Sequence, residues 1–280
     1  MSFKDSDAVQ YKGRMLTQHQ AVLTLIQQQL DNPKLHKFKW LDIGCGRGQI
    51  IVNLKENFTE TTRAKIAYKG YDVKDEFVGE TLKIANSLGF DSCEGEIGTI
   101  NNFPKLISDD SEHDCITITN AIHEFSPKLI SMVFVESLLR LSPTGRLFIY
   151  DMESLPELEL GAVTWSAPEI QEVLQTLFKE IPITNGYEPN VGKWFHKSCD
   201  AWHITLSMEY MEVDKTALLK RRSAIIKTVT SKIKSLLKRK LTTCKAALLS
   251  LQEHGDETGT ENQLKNKLLH DFWSLTNNQL

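Results

Sequence analysis

The sequence predicts an α/β fold: a three-layer sandwich with a mainly parallel, seven-stranded sheet between helices, followed by an α-helical C-terminal extension. Three observations carry that prediction. Short β-rich runs alternate with amphipathic helical runs from Lys39 to about Leu206, the pattern of strands joined by crossover helices. The first apolar run, within "KWLDIGCGRGQI", ends in Asp42 and then places Gly44, Gly46 and Gly48 at every second position. Beyond Tyr210 the apolar residues recur only at three- and four-residue steps, which is helical spacing.

Element by element, Val22, Leu23, Ile26 and Leu30 mark a helix within Asp7–Leu30, which "DNPK" stops. A strand follows to Ile43, then a helix over about 48–57, the strand "AKIAYKGYD", a helix over about 76–88 and strands at "SCEGEI" and "DCITITN". A helix over about 128–141, the turn "SPTG", the strand "RLFIYD" and a helix over about 168–178 come next. "EIPIT" and "AWHITL" supply the last two strands. Leu218, Leu219, Ile225, Ile226, Val229, Ile233, Leu236, Leu237 and Leu241 then line a long helix, "EHGDETGTEN" breaks it, and Leu264, Leu268, Phe272 and Leu275 belong to a shorter one. The expected domains are a helical cap at 1–35, the α/β domain at 36–210 and a basic helical extension at 211–280.

Composition fits a globular protein: 280 residues, 41% hydrophobic, 25% charged, formal net charge −3. The whole chain therefore carries no charge signature of a nucleic-acid or membrane partner. The five cysteines are odd in number, scattered and without a CxxC pair, which argues against a disulfide framework or a zinc ribbon. The N-terminus is polar, and no apolar run approaches ~18 residues. A cytoplasmic protein without a membrane association is expected.

In an open parallel sheet, ligands gather beyond the C-terminal ends of the strands. The glycine turn stands there, and its register limits the ligand. A dinucleotide GxGxxG would need glycine at Gln49, and a P-loop would need GK[ST], so both fail. What stands is Asp42-Ile-Gly44-Cys45-Gly46-Arg-Gly48, which resembles motif I (D/E-x-G-x-G-x-G) of the class I, Rossmann-like S-adenosylmethionine-dependent methyltransferases. An amino-acid zwitterion, a sulfonium and an adenosine suit a turn whose bare backbone admits a bulky group.

The resemblance implies S-adenosyl-L-methionine as cofactor and a set of binding residues. Asp42 is expected near the methionyl moiety, with Gly44, Cys45 and Gly46 lining the cofactor. Asp72, at the end of the second strand, is expected to accept the ribose hydroxyl bonds, with Val73 beside it and Asp75 as the alternative. Glu96 and Ile97 of "EGEIGTI" match the adenine-side acid and its apolar neighbour. "TNAIHEFSP" supplies Asn120 toward the cofactor, and His123 and Glu124 as catalytic candidates: a neutral imidazole can take a proton near pH 7, and Glu124 is placed to orient it. "SPTGRLFIYD" is similar to the family's turn into strand five. "YKGR" resembles N-terminal caps that fold over the cofactor, with Arg14 pairing its carboxylate and Tyr11 shielding it.

The methyl acceptor is open between a small molecule and RNA. Trp165, Tyr187, Trp194 and Phe195 are candidates for an aromatic acceptor pocket. His196, Cys199 and His203 have spacings a metal could use, but they offer only three ligands, and no metal site is expected. The basic run from Lys220 to Lys240 reads either as a phosphate-binding stripe or as the solvated rim of a helix packed on this domain, a protein partner or a second copy. A non-catalytic subunit that docks through its helical tail is the alternative to an enzyme.

Overall fold

The computed structural model describes residues 16–32, 35–155, 157–189, 191–195, 200–212, 214–254 and 259–278. Seven strands form one sheet: β1 (Phe38–Ile43), β2 (Ile66–Asp72), β3 (Ser92–Ile97), β4 (His113–Thr119), β5 (Leu141–Met152), β6 (Gly192–Phe195) and β7 (Asp200–Ser207). Their order is β3-β2-β1-β4-β5-β7-β6. The pairs β1/β2, β1/β4, β2/β3 and β4/β5 are parallel, and β6/β7 is antiparallel. Helices α1 (Thr17–Leu30), α2 (Gln49–Val52), α3 (Leu54–Asn57), α4 (Glu60–Arg63), α5 (Asp75–Ser87), α6 (Phe103–Leu106), α7 (Pro127–Leu139) and α8 (Ala167–Glu180) are interleaved with the strands, and α9 (Lys215–His254) and α10 (Gly259–Asn277) form the extension. The α/β class and the helical tail are as the sequence predicts.

By packing, the chain divides into two compact units. The first holds the described residues within Met1–Ala121, Glu136–Tyr150 and Ile204–Tyr210, and the second those within Ile122–Val135, Asp151–His203 and Met211–Leu280.

In the first unit, Phe38, Trp40, Leu41, Ile66, Tyr68, Ile116 and Ile118 are buried, as strands covered on both faces require. The expected helix after the glycine turn is broken at Asn53 into α2 and α3. Asn53 Nδ2 reaches back to the Gln49 carbonyl (3.0 Å) and lies 3.1 Å from His19 Nδ1. Burial holds the His19 pKa down to about 4, so that ring is neutral and can accept this bond. The "SPTG" turn lies inside β5 as a bulge: His113 pairs with Leu141 and Cys115 with Arg146. A Cβ on Gly145 would lie 2.6 Å from the His113 carbonyl oxygen, so glycine is required where the bulge closes on β4.

The second unit corrects one strand. Residues 180–184 form the end of α8 and an isolated bridge from Ile183 to Met211, and strand six is Gly192–Phe195, paired antiparallel with β7. Trp194 there stacks on His203 at 4.3 Å between centroids. In α9, Leu218, Ile225, Val229, Ile233, Leu236, Leu237 and Cys244 are buried, and the helix packs on α8 and α10. Its basic residues pair with the acids of α8: Arg239 and Lys232 with Glu172, Lys240 with Glu169, and Arg221 with Glu180. These pairs hold the Glu172 carboxyl down at about 2. The packed-helix reading of the basic run describes this arrangement.

Candidate functional site

The glycine turn follows β1 with Gly44, Gly46 and Gly48 at φ 71°, 52° and 79°, a backbone region that side chains with a Cβ disfavour. A Cβ on Gly44 would lie 2.9 Å from Ala121 Cβ, whereas one on Gly46 would meet nothing within 4 Å. Gly44 is therefore a packing requirement, while Gly46 borders open space. The N–H groups of Gly44 and Cys45 donate to the Tyr71 carbonyl at 2.8 and 3.2 Å, tying the turn to β2. Thr81 Oγ1 of α5 donates to the Gly46 carbonyl at 2.7 Å. Arg47 bridges to Glu76 and Glu80 and lies over the Phe77 ring, closing the turn onto the same helix.

The three predicted acids have separate surroundings. Asp72 ends β2; its Oδ2 accepts from the Gly46 N–H at 3.0 Å and its Oδ1 from the Lys74 N–H at 3.1 Å. Asp42 faces inward instead. Its Oδ1 accepts from Thr117 Oγ1 at 2.6 Å and its Oδ2 from Tyr68 Oη at 3.2 Å, with Trp40 Nε1 donating to Thr117 in turn. Burial pushes the Asp42 pKa up to about 7, against those hydrogen bonds. Glu96 lies 3.8 Å from Lys69 Nζ, and Lys69 also pairs with Glu94 at 2.9 Å.

Apolar groups flank Asp72. In the β2/β3 register it stands opposite Ile97, and Val73 and Ile97 are 57% and 50% exposed, leaving apolar surface just after β2 and at the end of the edge strand β3. The Cys45 side chain is buried, with Sγ 3.2 Å from the position of a Cβ on Gly70. Burial raises its thiol pKa, leaving a protonated, unreactive sulfur, so Cys45 can offer only backbone outward. Asn120 follows β4 with φ 53°. Its N–H donates to the Tyr150 carbonyl at 2.9 Å, and its side-chain Oδ1 is buried without a hydrogen-bond partner. A buried orphan acceptor costs about 1–3 kcal/mol and marks a place for a missing donor.

A second cluster, wholly inside the second unit, surrounds His123, which lies in a 3₁₀ turn (Ile122–Glu124) and is only 2% exposed. Its Nδ1 is 2.6 Å from Asp151 Oδ1, its backbone N–H donates to Asp151 Oδ2 at 2.7 Å, and its Nε2 is 3.2 Å from Glu159 Oε2. The Met152 N–H also donates to Asp151 Oδ1, and the Val163 N–H to the His123 carbonyl. Burial alone would lower the His123 pKa, but Asp151 and then Glu159 outweigh it and raise the pKa to about 10. The raised pKa favours the protonated ring over the neutral base expected from sequence, and Asp151 Oδ1 lies against Nδ1, where it orients the ring; Glu124 is exposed.

Asp151 and Glu159 were missed by sequence reasoning. Asp151 had a signal, since like Asp42 and Asp72 it is an acid near the C-terminal end of a strand; Glu159 had none. The four aromatics proposed for an acceptor pocket lie in different settings. Trp165 is buried with Lys240 over its ring, Tyr187 lines a groove with Gln171 and Phe178, Trp194 stacks on His203, and Phe195 is 77% exposed. A cavity of about 370 Å³ in this unit is lined by others, among them Val163, Thr164, Lys240, Cys244, Leu268 and Leu275. Tyr11, Arg14, His196 and Cys199 lie outside the described residues. Among the described residues, no helix is long and apolar enough to cross a membrane.

No curated protein matches the sequence. Among solved structures, the chain is similar to magnesium protoporphyrin IX methyltransferase from Synechocystis PCC 6803 with bound SAH (13% identity, 68% of this chain and 82% of that one, TM-score 0.48). It is similar also to a SAM-dependent methyltransferase from Aquifex aeolicus (22% identity, 72% and 99%, TM-score 0.43) and to TrmK from M. capricolum in complex with SAH (12% identity, 94% and 96%, TM-score 0.42). A family model described as a methyltransferase domain matches residues 35–212. That match spans more than half of the chain, which therefore belongs to the methyltransferase-domain family, of the class I S-adenosylmethionine-dependent type that its glycine turn resembles.

Proposed function

We propose that this protein transfers a methyl group from S-adenosylmethionine to a small-molecule acceptor, with the cofactor held at the glycine turn. The observation that carries the reading is the Asp72 carboxylate on the Gly46 N–H, beside open space over Gly46. A carboxylate in that place can accept both hydroxyls of a ribose. Val73 and Ile97 offer exposed apolar surface on either side of Asp72 for an adenine ring. The orphan Oδ1 of Asn120 accepts a donor that this cofactor supplies through its ammonium group. Asp42, bonded inward, supports the turn from behind, Gly44 and Cys45 contribute backbone, and Glu96 is assigned to the adenine side by resemblance alone.

The cofactor brings a methyl group on a positively charged sulfur, already activated for displacement, so the chain's main tasks are positioning and exclusion of water. His123 follows Asn120 by three residues, and we assign it to the acceptor. Held as an imidazolium between Asp151 and Glu159, it fixes the Glu159 carboxylate, which is 31% exposed. Glu159 is then the group able to receive an acceptor proton. RNA is the less favoured acceptor, because Arg221, Lys232, Arg239 and Lys240 are already paired with α8, which lowers the free positive charge of the stripe.

A thermal-shift comparison tests the cofactor. S-adenosylhomocysteine at about a hundred times its Kd should stabilise the protein by about 2.7 kcal/mol, and NAD should not. Stabilisation by NAD, or by neither, contradicts the reading.

A further inference from the structure

We propose that His123, Glu124 and Glu159 form a divalent-cation site of the Mn²⁺ kind. One ligand atom from each, an imidazole nitrogen and two carboxylate oxygens, lies within 4.8 Å of the others. A single ion placed among three such atoms reaches all of them with small side-chain adjustments, since metal–oxygen and metal–nitrogen bonds are about 2.0–2.2 Å long.

The surroundings are those of a built site. Metal-bound histidines commonly donate their second ring N–H to a carboxylate, which fixes tautomer and ring orientation. Here Asp151 Oδ1 takes the Nδ1 side of His123 at 2.6 Å, and Asp151 is itself held by the backbone N–H groups of His123 and Met152. Nε2 is thereby left facing Glu159. The segment carrying Glu159 is anchored on both sides. The Val163 N–H bonds the His123 carbonyl, and Glu153 Oε1 accepts from the Ala167 N–H at 2.8 Å. Burial grades outward from His123 through half-buried Glu159 to exposed Glu124, so one side of the ion would remain open to water or an oxygen ligand.

The ion would stand where Nε2 now faces Glu159, and its double charge would offset two carboxylates brought within a few ångströms of each other. One histidine with two carboxylates is a borderline donor set, suited to a first-row divalent ion such as Mn²⁺ rather than to Mg²⁺, which takes oxygen ligands, or to thiolate-seeking metals. A hydroxyl bound to such an ion becomes more acidic, which points to an oxygen acceptor. That last consequence rests on the methyl-transfer reading; binding of the ion does not.

The test is titration of the full chain with Mn²⁺, read by loss of the free-ion electron paramagnetic resonance signal. One Mn²⁺ per chain is expected, with affinity reduced more than roughly tenfold in both Glu124→Gln and Glu159→Gln and unchanged in Glu157→Gln, a neighbouring exposed acid. Absence of stoichiometric binding, equal binding in the first two variants, or an equal loss in Glu157→Gln overturns the site. Because the readout is metal binding, a protein that binds Mn²⁺ at this site but not S-adenosylhomocysteine refutes the cofactor reading alone.

Discussion

His123 Nδ1 lies 2.6 Å from Asp151 Oδ1, both residues being almost fully buried. The pair is a stability element with a definite pH dependence. The folded pKa of His123, about 10, is above its ordinary 6.5, so its stabilisation is fully present below pH about 6.5 and is lost as pH rises through 10. The unfolding midpoint in denaturant should therefore fall between pH 7 and 10. In Asp151→Asn that slope should flatten, with a loss on the order of 3 kcal/mol at pH 7, as for a buried charge deprived of its partner. An unchanged slope in the variant would show that Asp151 does not set the charge of His123.

Glu159→Gln separates proton transfer from binding. If Glu159 takes the acceptor proton, turnover should fall by roughly a hundredfold with little change in S-adenosylhomocysteine affinity. A matched loss of both would assign Glu159 to the shape of the site.

Asn120 combines a left-handed backbone with an orphan Oδ1. Asn120→Gly should fold as well as the parent, because glycine adopts that conformation freely, yet bind S-adenosylhomocysteine more weakly. Asn120→Ala should in addition lose about 1 kcal/mol of stability to backbone strain. Equal affinity in Asn120→Gly and the parent would leave the orphan oxygen without the role assigned to it.

The pairing of α9 with α8 predicts a salt-sensitive helix contact. Glu172→Gln removes the partner of both Lys232 and Arg239. Its melting temperature should drop by a few degrees at low salt, and the difference should narrow in high salt as exposed charges are screened. A drop independent of salt would point to packing rather than charge.

Much of this architecture was legible because it repeats simple periods. β1, β2, β4 and β7 are apolar runs that end at polar or glycine residues, and α8 and α9 carry apolar residues at helical spacing. The turn at Gly44 to Gly48 was legible because positive φ demands glycine. Strand six was misplaced because Ile181 and Ile183 resemble a strand, although Ile181 only terminates α8 and Ile183 makes an isolated bridge. The real β6, Gly192–Phe195, is set by pairing with β7 and by the stack of Trp194 on His203.

The candidate sites divide along the same line. Asp72 and Asn120 are candidates in the sequence because strand ends are positions a topology dictates. Glu159 approaches His123 only through the path of the loop after β5, and local sequence carries no trace of that path. Arg140, just after α7, is similar: it is fully buried, with Glu136, Asp109 and the Ile107 carbonyl around its guanidinium, and two of those partners are distant in sequence.

The central claim is that Asp72 and the glycine turn hold S-adenosylmethionine, and isothermal titration with S-adenosylhomocysteine tests it most directly. The account predicts one site per chain, weakened roughly ten- to a hundredfold in Asp72→Ala by loss of charge-assisted hydrogen bonds, and no binding in Gly46→Arg, whose side chain would enter the open space at the turn. Absence of binding in the parent protein, or the same affinity in the parent and both variants, would contradict it.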